Sequence, residues 1–173
     1  RHDNLRAIEA LDIHAADHVL DIGTGHGRAL SVLAAVTPSG VVTGIDPSEL
    51  MVEIATTRNA ALVRTQRVHV LKADAEDLPF PDKAFDKAMA VHSIYFWPGL
   101  RGGFKQIARV LKPGGRLVLV FRSAADERAV AAFPADIYRF PMQIEVVSSL
   151  TAAGFDIDRV DFGGASKRER AVL

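Results

Sequence analysis

Apolar residues recur along this chain in two rhythms. Leu5, Ile8 and Leu11 keep helical spacing, so residues 3–12 are predicted to form an amphipathic helix, the ordered part of an N-terminal segment 1–18. Ala29, Leu30, Val32, Leu33 and Val36 repeat the pattern, as do Leu50, Met51, Ile54 and Ala55 behind Pro47 and Ser48. Leu100, Phe104, Ile107 and Leu111 form another helical face, which stops at the breaker Lys112-Pro113-Gly114-Gly115. Between the helices lie short, Val/Leu/Ile-rich segments at 19–22, 41–46, 68–71, 85–91 and 116–121 that read as strands. Runs without polar alternation suit strands buried on both faces, so helices alternating with such strands predict a parallel sheet in an α/β domain.

The last third changes character. Residues 143–153 read as a helix capped by Gly154. Residues 155–162 and those from 168 onward read as two strands joined by a Gly-containing turn, an antiparallel hairpin. Phe155 and Ile157 fall out of phase with Val160 and Phe162, which predicts a bulge. Residues 74–83, acidic and holding two prolines, read as loop. Residues 123–142 carry no clear period within what reads as a single domain spanning 1–173.

Composition narrows the function classes. With 49% hydrophobic and 24% charged residues in 173, the chain can bury a substantial core. Its 21 basic and 21 acidic side chains cancel, which argues against nucleic acid as a partner, because phosphate neutralisation needs clustered Lys and Arg. The one dense basic run, Lys167-Arg168-Glu169-Arg170, reads as a solvated edge. No run approaches the ~20 apolar residues of a membrane span, and nothing reads as a signal peptide. The absence of cysteine removes disulfides, thiolate metal sites and a Cys nucleophile, and fits a cytoplasmic setting. The chain begins at Arg1 and not Met, which leaves sequence upstream open.

The most informative segment is Asp21-Ile22-Gly23-Thr24-Gly25-His26-Gly27-Arg28, between a strand and a helix. Glycines at alternate positions let the backbone turn sharply and approach a ligand without Cβ interference. The first strand-to-helix turn of such a sheet is where ligands bind. A dinucleotide turn reads G-x-G-x-x-G, but counting from Gly23 the final position is Arg28, and Asp21 adds negative charge near where a pyrophosphate would lie. Asp46 ends the second strand, nineteen residues past Gly27. A carboxylate there can accept both hydroxyls of a ribose, or cap the helix that begins at Asp-Pro-Ser, or do both. With a ribose at Asp46, an adenine ring reaches the loop after the third strand. There Asp74 can accept the exocyclic amine, the Ala75 amide can donate to a ring nitrogen, and Met51 can pack on the ring face.

At these residues the sequence resembles a known family. Val19-Leu20-Asp21-Ile22-Gly23-Thr24-Gly25-His26-Gly27, Gly44-Ile45-Asp46-Pro47-Ser48, Ala73-Asp74-Ala75-Glu76-Asp77-Leu78-Pro79-Phe80 and Leu111-Lys112-Pro113-Gly114-Gly115-Arg116-Leu117 look like the four landmarks of class I S-adenosylmethionine-dependent methyltransferases, nearest the ubiquinone/menaquinone-type small-molecule branch. The resemblance implies a Rossmann-like three-layer sandwich whose seven-stranded, mostly parallel sheet takes one antiparallel strand from the C-terminal hairpin. It implies S-adenosyl-L-methionine as cofactor and a small-molecule acceptor of its methyl group. The loop residues Asp21, Gly23, Thr24, Gly25 and Gly27 would hold the methionine part. Asp46, Pro47 and Met51 would lie at the ribose and ring, and Asp74 and Ala75 at the adenine. This cofactor carries no phosphate, so an acid-rich pocket suits its ammonium and sulfonium.

Methyl transfer is an in-line displacement on an activated electrophile, and the enzyme mainly aligns the partners. The end of the fourth strand, Val91-His92-Ser93-Ile94-Tyr95-Phe96-Trp97, is the expected acceptor side. His92 is the candidate base, since imidazole titrates near neutrality, or else a residue that packs on the cofactor. Tyr95, the second catalytic candidate, and Trp97 would line an apolar pocket or cover the sheet edge. No Asn/Asp-Pro-Pro-Tyr/Phe run follows that strand and no acid stands there to ligate magnesium, so no metal is expected. Two other readings are carried: a non-catalytic module that binds S-adenosylmethionine or S-adenosylhomocysteine, and an NAD-dependent oxidoreductase.

Overall fold

A computed structural model describes residues 2–162 and 170–172. Five strands, β1 (His18–Ile22), β2 (Val41–Asp46), β3 (Val68–Lys72), β4 (Phe85–Val91) and β5 (Leu111–Arg122), form a parallel sheet in the order β3-β2-β1-β4-β5. The helices are α1 (His2–Ala10), α2 (Leu30–Val36), α3 (Glu49–Arg58), α4 (Ala60–Arg64), α5 (Leu100–Val110), α6 (Glu127–Ala132) and α7 (Gln143–Ala152). This is the Rossmann-like α/β arrangement that the alternating pattern predicts. No helix among the described residues is long and apolar enough to cross a membrane.

Successive strand residues point to opposite faces, and both faces are covered. Val19, Met89, Val118 and Val120 pack with Ile8 and Leu11 near α1, Leu30 and Leu33 of α2 and Ala55 of α3. Leu20, Ala88, Leu119 and Phe121 pack with Phe104 and Ile107 of α5 and Val146 and Leu150 of α7. Phe104 and Phe121 are completely buried, each worth about 1.5–3 kcal/mol of transfer free energy. The central strands are mostly apolar for this reason, although Asp21, Thr43 and Lys87 are buried among them. β3 is different: it is an edge strand, and His69, Leu71 and Lys72 are exposed.

Several expectations need revision. Leu5 is exposed, and Ala7 takes its place beside Ile8 on the buried face of α1. Leu50 faces solvent at 59% exposure because α3 turns only Ala55 fully inward. Beyond the expected helix, Asn59 separates α3 from the short α4. β5 begins at Leu111, before the Pro-Gly-Gly breaker. Phe85 pairs with Leu111 and Lys87 with Arg116, so residues 112–115 bulge out of the strand, with Gly114 at φ +76°.

Near the C-terminus the described residues hold two short strands, β6 (Asp161–Phe162) and β7 (Arg170–Val172). The expected strand over 155–160 and its bulge are absent. Phe155, Ile157 and Val160 turn inward between exposed Asp156, Asp158 and Arg159, but their backbone is not in a ladder. The side-chain alternation is real; what is missing is a strand edge to pair with. The expected Gly-containing turn lies at 163–169, outside the described residues.

Candidate active site

The loop after β1 is held from three sides. The Gly23 and Thr24 amides donate to the Ile45 carbonyl at 2.8 and 2.9 Å, tying the loop to the end of β2. The Gly25 amide donates to Asp46 Oδ2 at 2.9 Å. Asn59, 3% exposed, reaches back from the end of α3 and donates through Nδ2 to the Gly27 carbonyl at 3.0 Å. The three glycines have φ of +74°, +53° and +67°. Gly23 and Gly27 are glycine for internal reasons as well: a Cβ would lie 2.3 Å from Ser93 Cβ at the first and 2.7 Å from Ala55 Cβ at the second. A Cβ on Gly25 would meet nothing within 4 Å, so the crest of the loop faces open space.

Two carboxylates flank this loop. Asp46, 8% exposed, accepts the Gly25 amide on Oδ2 and the Ser48 amide, at 3.0 Å, on Oδ1. The cap of α3 falls to Ser48, whose Oγ accepts the Met51 amide at 3.4 Å, so the cap alternative for Asp46 gives way to a loop clamp. A carboxylate offers about four acceptor sites, and two backbone bonds leave capacity for hydroxyl donors. Asp21 is 3% exposed and accepts the Thr24 hydroxyl at 2.7 Å. Burial pushes the Asp21 carboxyl up to about 6; the Thr24 hydrogen bond opposes this and the nearby Asp46 charge adds to it.

That shift sets the sign of a pH effect. The native carboxyl holds its proton to about pH 6, whereas the unfolded one releases it near pH ~4. Between those values the folded state carries more protons, so stability falls as pH rises through the window. The contribution is on the order of 3 kcal/mol at about 1.4 kcal/mol per unit. Urea titrations of wild type and Asp21→Asn at pH 4 and 7.5 check this. The difference in stability between the two pH values should be smaller in the variant; equal differences would show that Asp21 does not titrate in that range.

Asp74 follows β3 and accepts the Glu76 amide on Oδ1 at 2.9 Å. Its loop is pinned from α5, where the Arg109 guanidinium donates to the carbonyls of Leu78 (2.9 Å) and Phe80 (2.7 Å) and pairs with Asp82. Ala75 is buried, Met51 half-buried and Pro47 exposed. Thus the expected cofactor residues gather at the C-terminal ends of β1, β2 and β3.

After β4 the side chains are tied into the fold. His92 has φ +55°, rare for a residue with a Cβ. Its Nε2 lies 2.8 Å from Asp3 Oδ2 of α1, and its Nδ1 lies 3.0 Å from the Tyr95 hydroxyl. That hydroxyl also accepts the Arg122 amide at 2.6 Å. Both ring nitrogens of His92 are therefore engaged by the protein, and neither stands open as the expected base. Tyr95 is 3% exposed and Trp97 is 8% exposed, packed edge-on against Phe104 at 5.4 Å. Neither lines an open pocket; the ring at the surface is Phe96.

Asp3, Asn59, Ser93 and Arg109 were not singled out from the sequence. Asn59 follows the polar run Thr56-Thr57-Arg58 and leaves no signal. Asp3 meets His92 across 89 positions and leaves none. Among the described residues no group of three His, Asp or Glu is placed to hold a metal. A cavity of about 620 Å³ lies away from these groups, along the first half of β5 and the 155–159 segment.

Comparison with known proteins agrees with this geometry. Residues 20–119 match the family model described as a methyltransferase domain. An O-methyltransferase of Penicillium expansum, cnsE, is 36% identical over 146 residues, covering 82% of this chain and 52% of that protein. A demethylmenaquinone methyltransferase of Tropheryma whipplei is 36% identical over 154 residues, covering 88% and 62%. The chain thus spans about half the length of the curated relatives it matches. The crystal structure of a SAM-dependent methyltransferase from Aquifex aeolicus superposes with a TM-score of 0.78 at 24% identity, over 98% of this chain and 87% of that one, a likeness of fold. A family model running from within β1 to within β5, and an acid-flanked glycine loop at the strand ends, lead to one assignment: the chain belongs to the class I S-adenosylmethionine-dependent methyltransferases.

Proposed function

We propose that the protein transfers a methyl group from S-adenosylmethionine to a small, partly apolar acceptor. The observation that carries this reading is the pair of buried acids, Asp21 and Asp46, at a glycine loop whose crest is open. Such a site suits a cationic, phosphate-free nucleoside and disfavours a pyrophosphate. Asp46 retains acceptor sites for the ribose hydroxyls, beside Pro47. Asp74 and the Ala75 amide serve the adenine edge, with Met51 against the ring. Thr24 and the Gly23, Gly25 and Gly27 backbone frame the methionine portion, and Asp21 sits at its ammonium. A small acceptor is supported by the related demethylmenaquinone methyltransferase, whose name gives a quinone as its acceptor.

When bound, S-adenosylmethionine supplies a sulfonium-activated methyl, and its transfer breaks the S–CH3 bond to leave S-adenosylhomocysteine. The work of this chain is alignment, which can be worth up to about 7–11 kcal/mol. His92 and Tyr95 act as positioning residues: they tie α1, through Asp3, and β5, through the Arg122 amide, to the end of β4. We read residues 123–142 as a cap over the acceptor side and 1–173 as one domain. We also read β6 and β7 as completing a seven-stranded sheet with its antiparallel strand beside β5, a reading supported by the register Val120 to Val172.

Release of S-adenosylhomocysteine tests the function. Incubation with S-adenosylmethionine and a panel of phenols and naphthohydroquinones should release it above the acceptor-free rate. Tight cofactor binding with no release for any acceptor would favour a binding module instead. For His92→Asn, turnover at saturating acceptor should stay within about tenfold of wild type. A loss of about 10²–10⁴, with cofactor affinity intact, would make His92 the base after all.

A further inference from the structure

Five aromatic rings gather past the end of β4, and they include both tyrosines of the chain. Tyr95 and Phe96 come from the 3-10 turn Ile94–Phe96, Phe133 closes α6, and Tyr138 and Phe140 lie between α6 and α7. Tyr95 is the buried base of the group, its ring centre 4.8 Å from Phe140 and 6.1 Å from Tyr138. Half-buried Tyr138 is bracketed by Phe96, edge-on at 4.8 Å, and by Phe133, tilted by 40° at 4.7 Å. The Arg139 amide donates to the Tyr95 carbonyl at 3.2 Å, and the Ala124 amide to the Pro141 carbonyl at 2.9 Å. These bonds fasten the aromatic segment just past the ends of β4 and β5.

The inner rings are covered and the outer ones are not: Phe96 is 49% exposed and Phe133 40%. Single exposed apolar side chains are ordinary, but two exposed rings around a third make a continuous aromatic face. Its place says what it meets. The Phe96 amide donates to the Ser93 carbonyl at 3.1 Å, and Ser93 packs against the Gly23 turn. The face therefore begins one turn of chain from the glycine loop. It lies on the β4–β5 side of β1, opposite Asp46 and Asp74 at the ends of β2 and β3. Rings that meet at 40° and 61° offer faces and edges together, a surface suited to another flat ring more than to a saturated one.

We propose that Phe96, Phe133 and Tyr138 bind the methyl acceptor and select a planar aromatic one, its ring packed on theirs. This rests on the methyltransferase reading above and names the class of its acceptor.

The test is calorimetric binding of 1-naphthol and of decahydro-1-naphthol, both with S-adenosylhomocysteine present. The second probe keeps the carbon skeleton but is neither flat nor aromatic. Wild type should bind 1-naphthol the more tightly. Phe96→Ala and Phe133→Ala, at exposed positions where folding loses little, should each weaken 1-naphthol about three- to tenfold. Phe96→Tyr should keep wild-type affinity, and Phe96→Leu, apolar without a ring, should not. Affinity for S-adenosylmethionine should be the same in every variant. Unchanged 1-naphthol affinity in both alanine variants would overturn the proposal, as would equal wild-type affinity for the two probes or binding of neither. A change of oligomeric state in the variants with 1-naphthol affinity intact would also overturn it, by giving the rings to a second copy of the chain. Should wild type bind 1-naphthol through these rings but never S-adenosylmethionine, the aromatic site stands and the methyltransferase reading fails.

Discussion

Gly23→Ala is expected to destabilise the domain by about 2–5 kcal/mol and to abolish measurable cofactor binding. The residue sits at φ +74°, where a Cβ costs about 1–2 kcal/mol. The added methyl would stand 2.3 Å from Ser93 Cβ, and overpacking of this kind costs about 1–3 kcal/mol more. For a domain of this size each kcal/mol lowers Tm by roughly 2–4 °C, so a calorimetric scan should show a drop of about 4–20 °C. The loop moves with the clash, because the Gly23 and Thr24 amides hold it to the Ile45 carbonyl. Adding Ser93→Gly should recover the packing part of the loss and leave the backbone part. Gly25→Ala is the contrasting case: its methyl meets nothing within 4 Å, so only the backbone cost of about 1–2 kcal/mol applies to folding. A Gly23→Ala protein that melts like wild type would mean that the loop and Ser93 are not packed as described.

Asp46→Ala should weaken S-adenosylmethionine binding by roughly 1.5–3 kcal/mol, or about ten- to 150-fold, the range for hydrogen bonds to a charged group. The same change strips the Gly25 and Ser48 amides of their acceptor, so a smaller loss of stability, about 1 kcal/mol, accompanies it. Asp46→Asn separates the two effects, because its amide oxygen can still take one of those N–H groups while the charge is gone. Calorimetric affinity and urea stability, measured side by side, decide the matter. Stability lost with affinity unchanged would make Asp46 a loop brace with no sugar to hold.

How legible each part was in the sequence follows from how local its cause is. β1, β2, β4 and β5 announce themselves because both faces of the sheet are covered and each strand centre is mostly apolar. The glycine loop is legible because its backbone needs positive φ at three alternate positions. Asp46 and Asp74 follow once strand ends are known. By contrast, residues 155–160 have the alternation of a strand without a partner for their backbone, and pairing is a property of the neighbour. The cap of α3 belongs to Ser48 because chain direction at Pro47 decides which side chain meets the first free amide. The sequence leaves His92 between a base and a packing residue because its two partners, Asp3 and Tyr95, arrive by tertiary folding, one of them from the first turn of the chain. Ser93 leaves no trace at all until Gly23 is placed against it.

A crystal structure of the protein soaked with S-adenosylhomocysteine tests the central claim most directly. The expected result is one adenosyl group across the ends of β1, β2 and β3, its ribose hydroxyls on Asp46 and its exocyclic amine at Asp74. An adenosyl group lodged elsewhere, such as the cavity beside β5, or a crevice closed by side chains at full ligand concentration, would contradict it.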